Sequence, residues 1–121
     1  MLEINNLSVN YGYIEALRNI SLKVSKNEII TLIGGNGAGK TTTLKAISGL
    51  ADKRSGTISF EGRDITRMAP EEIVKLGIAH VPEGRKVFPS LTVYENLMTG
   101  TLGNRKLTKN RIGELLEQQY D

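Results

Sequence analysis

Cysteine is absent from these 121 residues, so neither a disulfide framework nor a thiolate metal site can form. A single histidine, His80, excludes any site built from several imidazoles. Tryptophan is missing and aromatics total 5%, too few stacking platforms for a nucleic-acid surface. Charge of either sign is modest: 16 Lys+Arg against 13 Asp+Glu leave +3. The densest basic stretch is Arg105-Lys106-Leu107-Thr108-Lys109-Asn110-Arg111. It holds no aromatic and reads as a solvated turn entering a helix, so no nucleic-acid partner is expected. No apolar run approaches the ~18 residues a membrane span requires. Met1-Leu2-Glu3 does not begin a basic-then-apolar leader, so the expected address is cytosolic.

What is plentiful is glycine. The chain has 13, and four of them fall between positions 34 and 39. The rest of the composition, 39% hydrophobic and 24% charged, is that of a globular chain. The length alone fits one domain.

The first third reads as strands. Leu2, Ile4, Leu7 and Val9 form an imperfect period-two run, and Ile20, Leu22 and Val24 alternate cleanly. Lys26-Asn27 marks a turn. Ile29-Ile30-Thr31-Leu32-Ile33 is nearly all apolar and β-branched, which predicts a strand covered on both faces. Residues 40–50 read as a helix, with Leu44, Ile47 and Ala51 at helical spacing. Residues 56–60 predict a short strand closed by Glu61-Gly62. Residues 70–76 predict a helix, with Pro70 early, Glu71 and Glu72 in the first turn and Gly77 after the end. Residues 78–81, including His80, read as another strand, and 82–90 as a loop. Thr92-Val93-Tyr94-Glu95 has capping-box spacing and opens a helix toward Met98. A last helix covers about 111–119, with Ile112, Leu115 and Leu116 on one face. This order implies a parallel α/β core with an antiparallel addition.

Gly34-Gly35-Asn36-Gly37-Ala38-Gly39-Lys40-Thr41 matches the phosphate-binding pattern G-x-x-x-x-G-K-[ST]. The spacing has a physical reason. A loop without side chains lets successive backbone N–H groups converge on an anion. The helix that follows aims its free N–H groups and positive pole at the same point. Lys40 supplies a mobile charge for the β- and γ-phosphates. The Thr41 hydroxyl is a hard oxygen ligand of the kind Mg²⁺ prefers.

With these residues in place, the chain resembles the ATPases of ABC transporters. GGNGAGKTT at 34–42 is similar to their phosphate loop. Tyr11-Gly12, Ala16-Leu17, Ile20-Ser21-Leu22, Ser55-Gly56-Thr57-Ile58 and Gly62-Arg63-Asp64-Ile65 carry the likeness along the chain. HVPEGRKVFPSLTVYENL at 80–97 resembles the ATPases of branched-chain amino-acid importers. The resemblance implies a P-loop NTPase α/β fold, incomplete here, with an N-terminal antiparallel β subdomain. About 1–90 would form the β/P-loop core and about 91–121 the start of a helical subdomain, together the N-terminal part of one nucleotide-binding domain. It implies ATP and Mg²⁺ as ligands, bound at Gly34, Gly35, Asn36, Gly37, Ala38, Gly39, Lys40, Thr41 and Thr42. Thr42 would lie near the α-phosphate.

Tyr11 matches the aromatic that stacks on adenine; Tyr13 competes for that role, and a tyrosine packed on the sheet is the alternative. Glu83 stands where most of the broad family has glutamine, in agreement with the branched-chain subgroup. A second Mg²⁺ ligand there and a solvated loop glutamate are both open readings. Val87, Phe88 and Pro89 would lie near a transmembrane contact or anchor their own loop. Implied partners are permease subunits and a second ATPase subunit, with the protein peripheral on the cytoplasmic face of the membrane.

Hydrolysis also needs an acidic residue after an apolar strand and a group that positions water. The aspartates are Asp52, Asp64 and Asp121, and none follows four apolar residues. Glu61 follows Thr57-Ile58-Ser59-Phe60. No serine-glycine-glycine signature occurs, so this chain holds no catalytic residue of its own, and the resemblance implies that those parts follow residue 121. An N-K-x-D guanine reader is also missing, which disfavours a GTPase. An ABC-type ATPase without a membrane partner and a non-catalytic nucleotide-binding fragment are the other readings. Edges left unpaired around 29–33 predict self-association.

Overall fold

The computed structural model describes residues 1–84, 86–102 and 107–120. Arg105, Lys106 and Asp121, named above, lie outside them. The chain divides into two compact units, Met1–His80 and Val81–Asp121.

The first unit is built on an antiparallel sheet. β1 (Leu2–Tyr11) and β2 (Ile14–Val24) form a hairpin. β3 (Lys53–Phe60) pairs with the other edge of β1, and β4 (Arg63–Asp64) pairs with β3, giving the order β2-β1-β3-β4. The register places Ile4 between Leu22 and Ile58. Ile4, Leu7, Val9, Leu17 and Ile58 are buried together and form the core with Ala46, Ala51 and Ile65. Full burial of such a side chain contributes about 1.5–3 kcal/mol. β1 slips register against both partners around residues 5–9. At that slip β3 carries Gly56 with φ +92°, where a Cβ would lie 2.4 Å from the Asn6 carbonyl oxygen. Only glycine permits that approach.

α1 (Lys40–Ile47) buries Thr43 and Ala46. α2 (Pro70–Lys75) has Pro at its start and Glu71 and Glu72 in its first turn, as the sequence predicts, and it buries Ile73. Lys26-Asn27 is a turn, with Asn27 at φ +61°.

Two expected strands do not form. Residues 29–33 make no ladder, and Ile29 and Ile33 are 95% and 92% exposed. Residues 78–81 are likewise unpaired, and His80 therefore holds no strand position. A parallel strand exists only beside a partner, and none of the described residues offers one to either segment. The antiparallel part of the expected architecture is thus present, and the parallel ladder is not formed among the described residues.

The second unit contains α3 (Val93–Met98), a 3-10 turn at Thr99–Thr101 and α4 (Lys109–Tyr120). Both bonds of the expected capping box are made: Glu95 N donates to Thr92 Oγ1 and Thr92 N to Glu95 Oε2, each at 3.1 Å. Leu97, Ile112, Leu115 and Leu116 line one open apolar cavity, which puts the three α4 residues on one half-buried face as the sequence predicts.

Candidate nucleotide-phosphate site

The glycine-rich loop runs into α1 through Gly39, which sits at φ +94° as the helix N-cap. A Cβ there would meet Leu17 Cδ2 at 2.5 Å and the Ala16 carbonyl oxygen at 3.1 Å. Gly39 is therefore required twice, by its backbone conformation and by close packing of β2 on the loop. Gly37 also has positive φ, and residues 34–38 are exposed.

The start of α1 is prepared for an anion. Among the described residues, the amides of Gly39, Lys40, Thr41 and Thr42 donate to no turn or cap acceptor; the first capping bond is Thr43 N to Gly39 O, at 2.9 Å. No acidic side chain stands in the first turn to cancel the positive pole. Lys40 folds back over the loop, and its ammonium donates to the carbonyl oxygens of Gly34 and Gly35, the latter at 2.9 Å. The Thr41 side chain is exposed, and no hydrogen bond of its hydroxyl is present among the described residues. Thr43 is different: its hydroxyl donates to Gly39 O at 2.8 Å and locks the first turn. Gly34 to Thr42 thus form one continuous loop and helix start, exposed over 34–38 and half-buried at 39, 40 and 42, and the donor set fits a polyphosphate. Mg²⁺ needs few protein ligands when phosphate and water complete its shell, and the Thr41 hydroxyl is available to it. No cluster of three or more His, Asp or Glu able to hold a metal occurs among the described residues.

Tyr11 ends β1, pairs with Ile14 and is 46% exposed; Tyr13, in the hairpin turn, is fully exposed. Leu17 ties this hairpin to Gly39. Glu83 belongs to the other compact unit and is exposed. Val87 and Phe88 are 62% and 57% exposed and line, with Pro89, Leu91 and Val93, an open apolar cavity of about 400 Å³.

Sequence reading missed Asn96. Its side chain donates from Nδ2 to the carbonyls of Phe88, Leu91 and Thr92 and accepts from Phe88 N at 2.9 Å through Oδ1. One asparagine thus clamps the 88–92 loop onto α3. The available signal was an asparagine inside a helix, where that residue type is unfavourable unless its side chain has work with nearby backbone.

Comparison with known proteins agrees with this geometry. The family model described as ABC transporter matches residues 17–120. The chain is 47% identical over 100 residues to the high-affinity branched-chain amino acid transport ATP-binding protein BraG of Pseudomonas aeruginosa, covering 83% of this chain and 43% of that one. It is 32% identical over 123 residues to the phosphonates import ATP-binding protein PhnC of Fusobacterium nucleatum, covering 100% and 50%. A solved structure of the ATP binding subunit of an ABC transporter superposes with TM-score 0.78 at 34% identity, covering 91% of this chain and 45% of that one. The chain thus spans about half the length of the curated relatives it matches. No helix among the described residues is long and apolar enough to cross a membrane. A glycine-rich loop packed on an antiparallel hairpin, a matching family model and two differently specialised transport relatives lead to one assignment: this chain belongs to the ABC transporter family of ATP-binding proteins.

Proposed function

We propose that this chain is the N-terminal, nucleotide-holding part of an importer ATPase. In the parent protein, ATP binding and hydrolysis would drive import, and branched-chain amino acids are the favoured cargo. The observation that carries the nucleotide role is the Gly34–Thr42 cradle, with its unbonded amides and the Lys40 ammonium poised over it. The 47% identity to a branched-chain amino acid transport protein supports the cargo. A phosphonates import relative at 32% identity shows that the family's cargo varies.

In this reading the amides at the α1 start hold the β- and γ-phosphates. Lys40 exchanges its two carbonyl partners for phosphate oxygens. Thr41 offers its hydroxyl to Mg²⁺, which when bound neutralises phosphate charge, and Thr42 lies by the α-phosphate. Tyr11 stacks on adenine from the hairpin that Leu17 anchors beside Gly39, with Tyr13 as the competing face. Glu83 is read as a functional loop carboxylate, with a solvated loop glutamate as the other reading. Residues up to about 90 make the β/P-loop core, and those from about 91 begin a helical subdomain. The Val87, Phe88 and Pro89 surface, shaped by Asn96, meets a permease subunit on the cytoplasmic face of the membrane. A second ATPase subunit completes the assembly. This chain alone lacks the metal-holding and water-positioning carboxylates and is inactive as an enzyme.

Calorimetric titration with Mg-ATP tests the nucleotide role. Binding is expected for the chain and is expected to weaken at least tenfold in Lys40→Ala. Equal affinity in both proteins would overturn the reading.

A further inference from the structure

Asn36-Gly37, inside the glycine-rich loop, carries a chemistry that phosphate contacts do not use. Asparagine is thermolabile, because the backbone nitrogen of the next residue can attack its side-chain amide. The attack needs an unshielded nitrogen, a free side chain and room to close a five-membered ring. Asn36 is the only asparagine in the sequence that precedes glycine, and glycine has no Cβ to shield its nitrogen. Both residues are exposed. They are the central pair of a turn closed by Ala38 N to Gly35 O at 3.2 Å, with Gly37 at φ +84°. Among the described residues the Gly37 amide donates to no acceptor and the Asn36 side chain makes no hydrogen bond. A Cβ added at Gly35 or Gly37 would meet nothing within 4 Å, so the turn is open on both sides. Asn27 is the internal contrast. It too is exposed in a turn, at φ +61°, but the nitrogen after it, on Glu28, donates to Ser25 O at 3.2 Å and carries a side chain.

We propose that Asn36 is a site of spontaneous deamidation, and that its conversion closes the loop to nucleotide; the second part rests on the nucleotide role proposed above. The Gly37 nitrogen gives its proton to solvent base and bonds to Asn36 Cγ. The Cγ–Nδ2 bond breaks, and Nδ2 takes up a proton and leaves as ammonia. Water then opens the resulting succinimide at either carbonyl carbon, giving an aspartyl or an isoaspartyl residue. The net change is amide plus water to carboxylic acid plus ammonia, with nothing oxidised or reduced. The new carboxylate, ionised at neutral pH, repels a polyphosphate and competes for the Lys40 ammonium. The isoaspartyl form also lengthens the loop by a backbone methylene.

The test is incubation of the chain in mildly alkaline buffer made with heavy-oxygen water, followed by peptide mapping by mass. Asn36 is expected to exchange its amide nitrogen for solvent oxygen at least about tenfold faster than Asn27. The converted chain, separated by its added charge, should bind Mg-ATP at least about tenfold more weakly than the fresh chain, and Asn36→Asp should reproduce that loss. Equal conversion at Asn36 and Asn27 overturns the modification site. Equal Mg-ATP affinity of fresh and converted chains overturns its consequence. A fresh chain that binds no Mg-ATP overturns the nucleotide role and that consequence together, while the conversion rates still decide the site.

Discussion

Gly39 and Asp64 are residues whose roles follow from local geometry. Gly39→Ala would place a methyl group 2.5 Å from Leu17 Cδ2 and keep a positive φ that alanine resists. We expect a loss exceeding about 1 kcal/mol in denaturant unfolding, together with weaker nucleotide binding; an unchanged midpoint would refute the packing argument. Asp64 accepts from the Thr66 hydroxyl at 2.5 Å and from Thr66 N at 2.9 Å, and these bonds hold its carboxyl below the ordinary aspartate range. The buried Thr66 hydroxyl in turn accepts from Ile58 N. A carboxyl with a lowered folded-state value stabilises above its unfolded value, and that contribution is lost as pH falls through the folded value. Acid unfolding of Asp64→Asn should therefore show a shallower loss of stability below the ordinary aspartate range than the parent chain. Identical acid profiles would remove Asp64 from the account.

Elements differ in how much of their cause is local. α2 and α3 were legible because their signals sit within a few residues: Pro70 at a helix start, and Thr92 with Glu95 as a capping box. Thr92→Ala should cost about 1 kcal/mol and raise amide exchange across α3, whereas Thr92→Ser should be near neutral. Equal exchange in both variants would show that packing, not the cap, holds the helix. The hairpin β1–β2 was legible for a related reason, since its alternating residues face a core supplied by adjacent chain. Residues 29–33 have the composition of a buried strand, but composition provides no partner. Their backbone and their isoleucines stay exposed among the described residues. The loop at 88–92 was illegible for the opposite reason. It is held by Asn96 through four side-chain bonds that no periodicity announces.

The whole molecule combines an exposed glycine-rich loop, proposed above to hold phosphate, with apolar segments that stay exposed among the described residues. The loop conformation at 34–39 was readable in the sequence, because Gly37 and Gly39 hold positive φ and Gly39 leaves no room for a Cβ beside Leu17; its phosphate role remains the proposal. The aromatic face for the base was narrowed only to Tyr11 and Tyr13, both exposed on one hairpin. The exposed 29–33 segment, β-branched and without charge, should drive self-association. Light scattering should show a mass that rises with concentration, and a concentration-independent monomer would contradict this. Phosphate release from ATP by this chain should stay at the background of a protein-free control, and sustained multiple turnover would show catalytic groups beyond those identified. Binding of nucleotide phosphate by residues 34–42 is read from amide resonances on adding Mg-ATP. Saturable shifts centred on Gly37, Gly39, Lys40, Thr41 and Thr42 are predicted; unchanged resonances at millimolar Mg-ATP would contradict it.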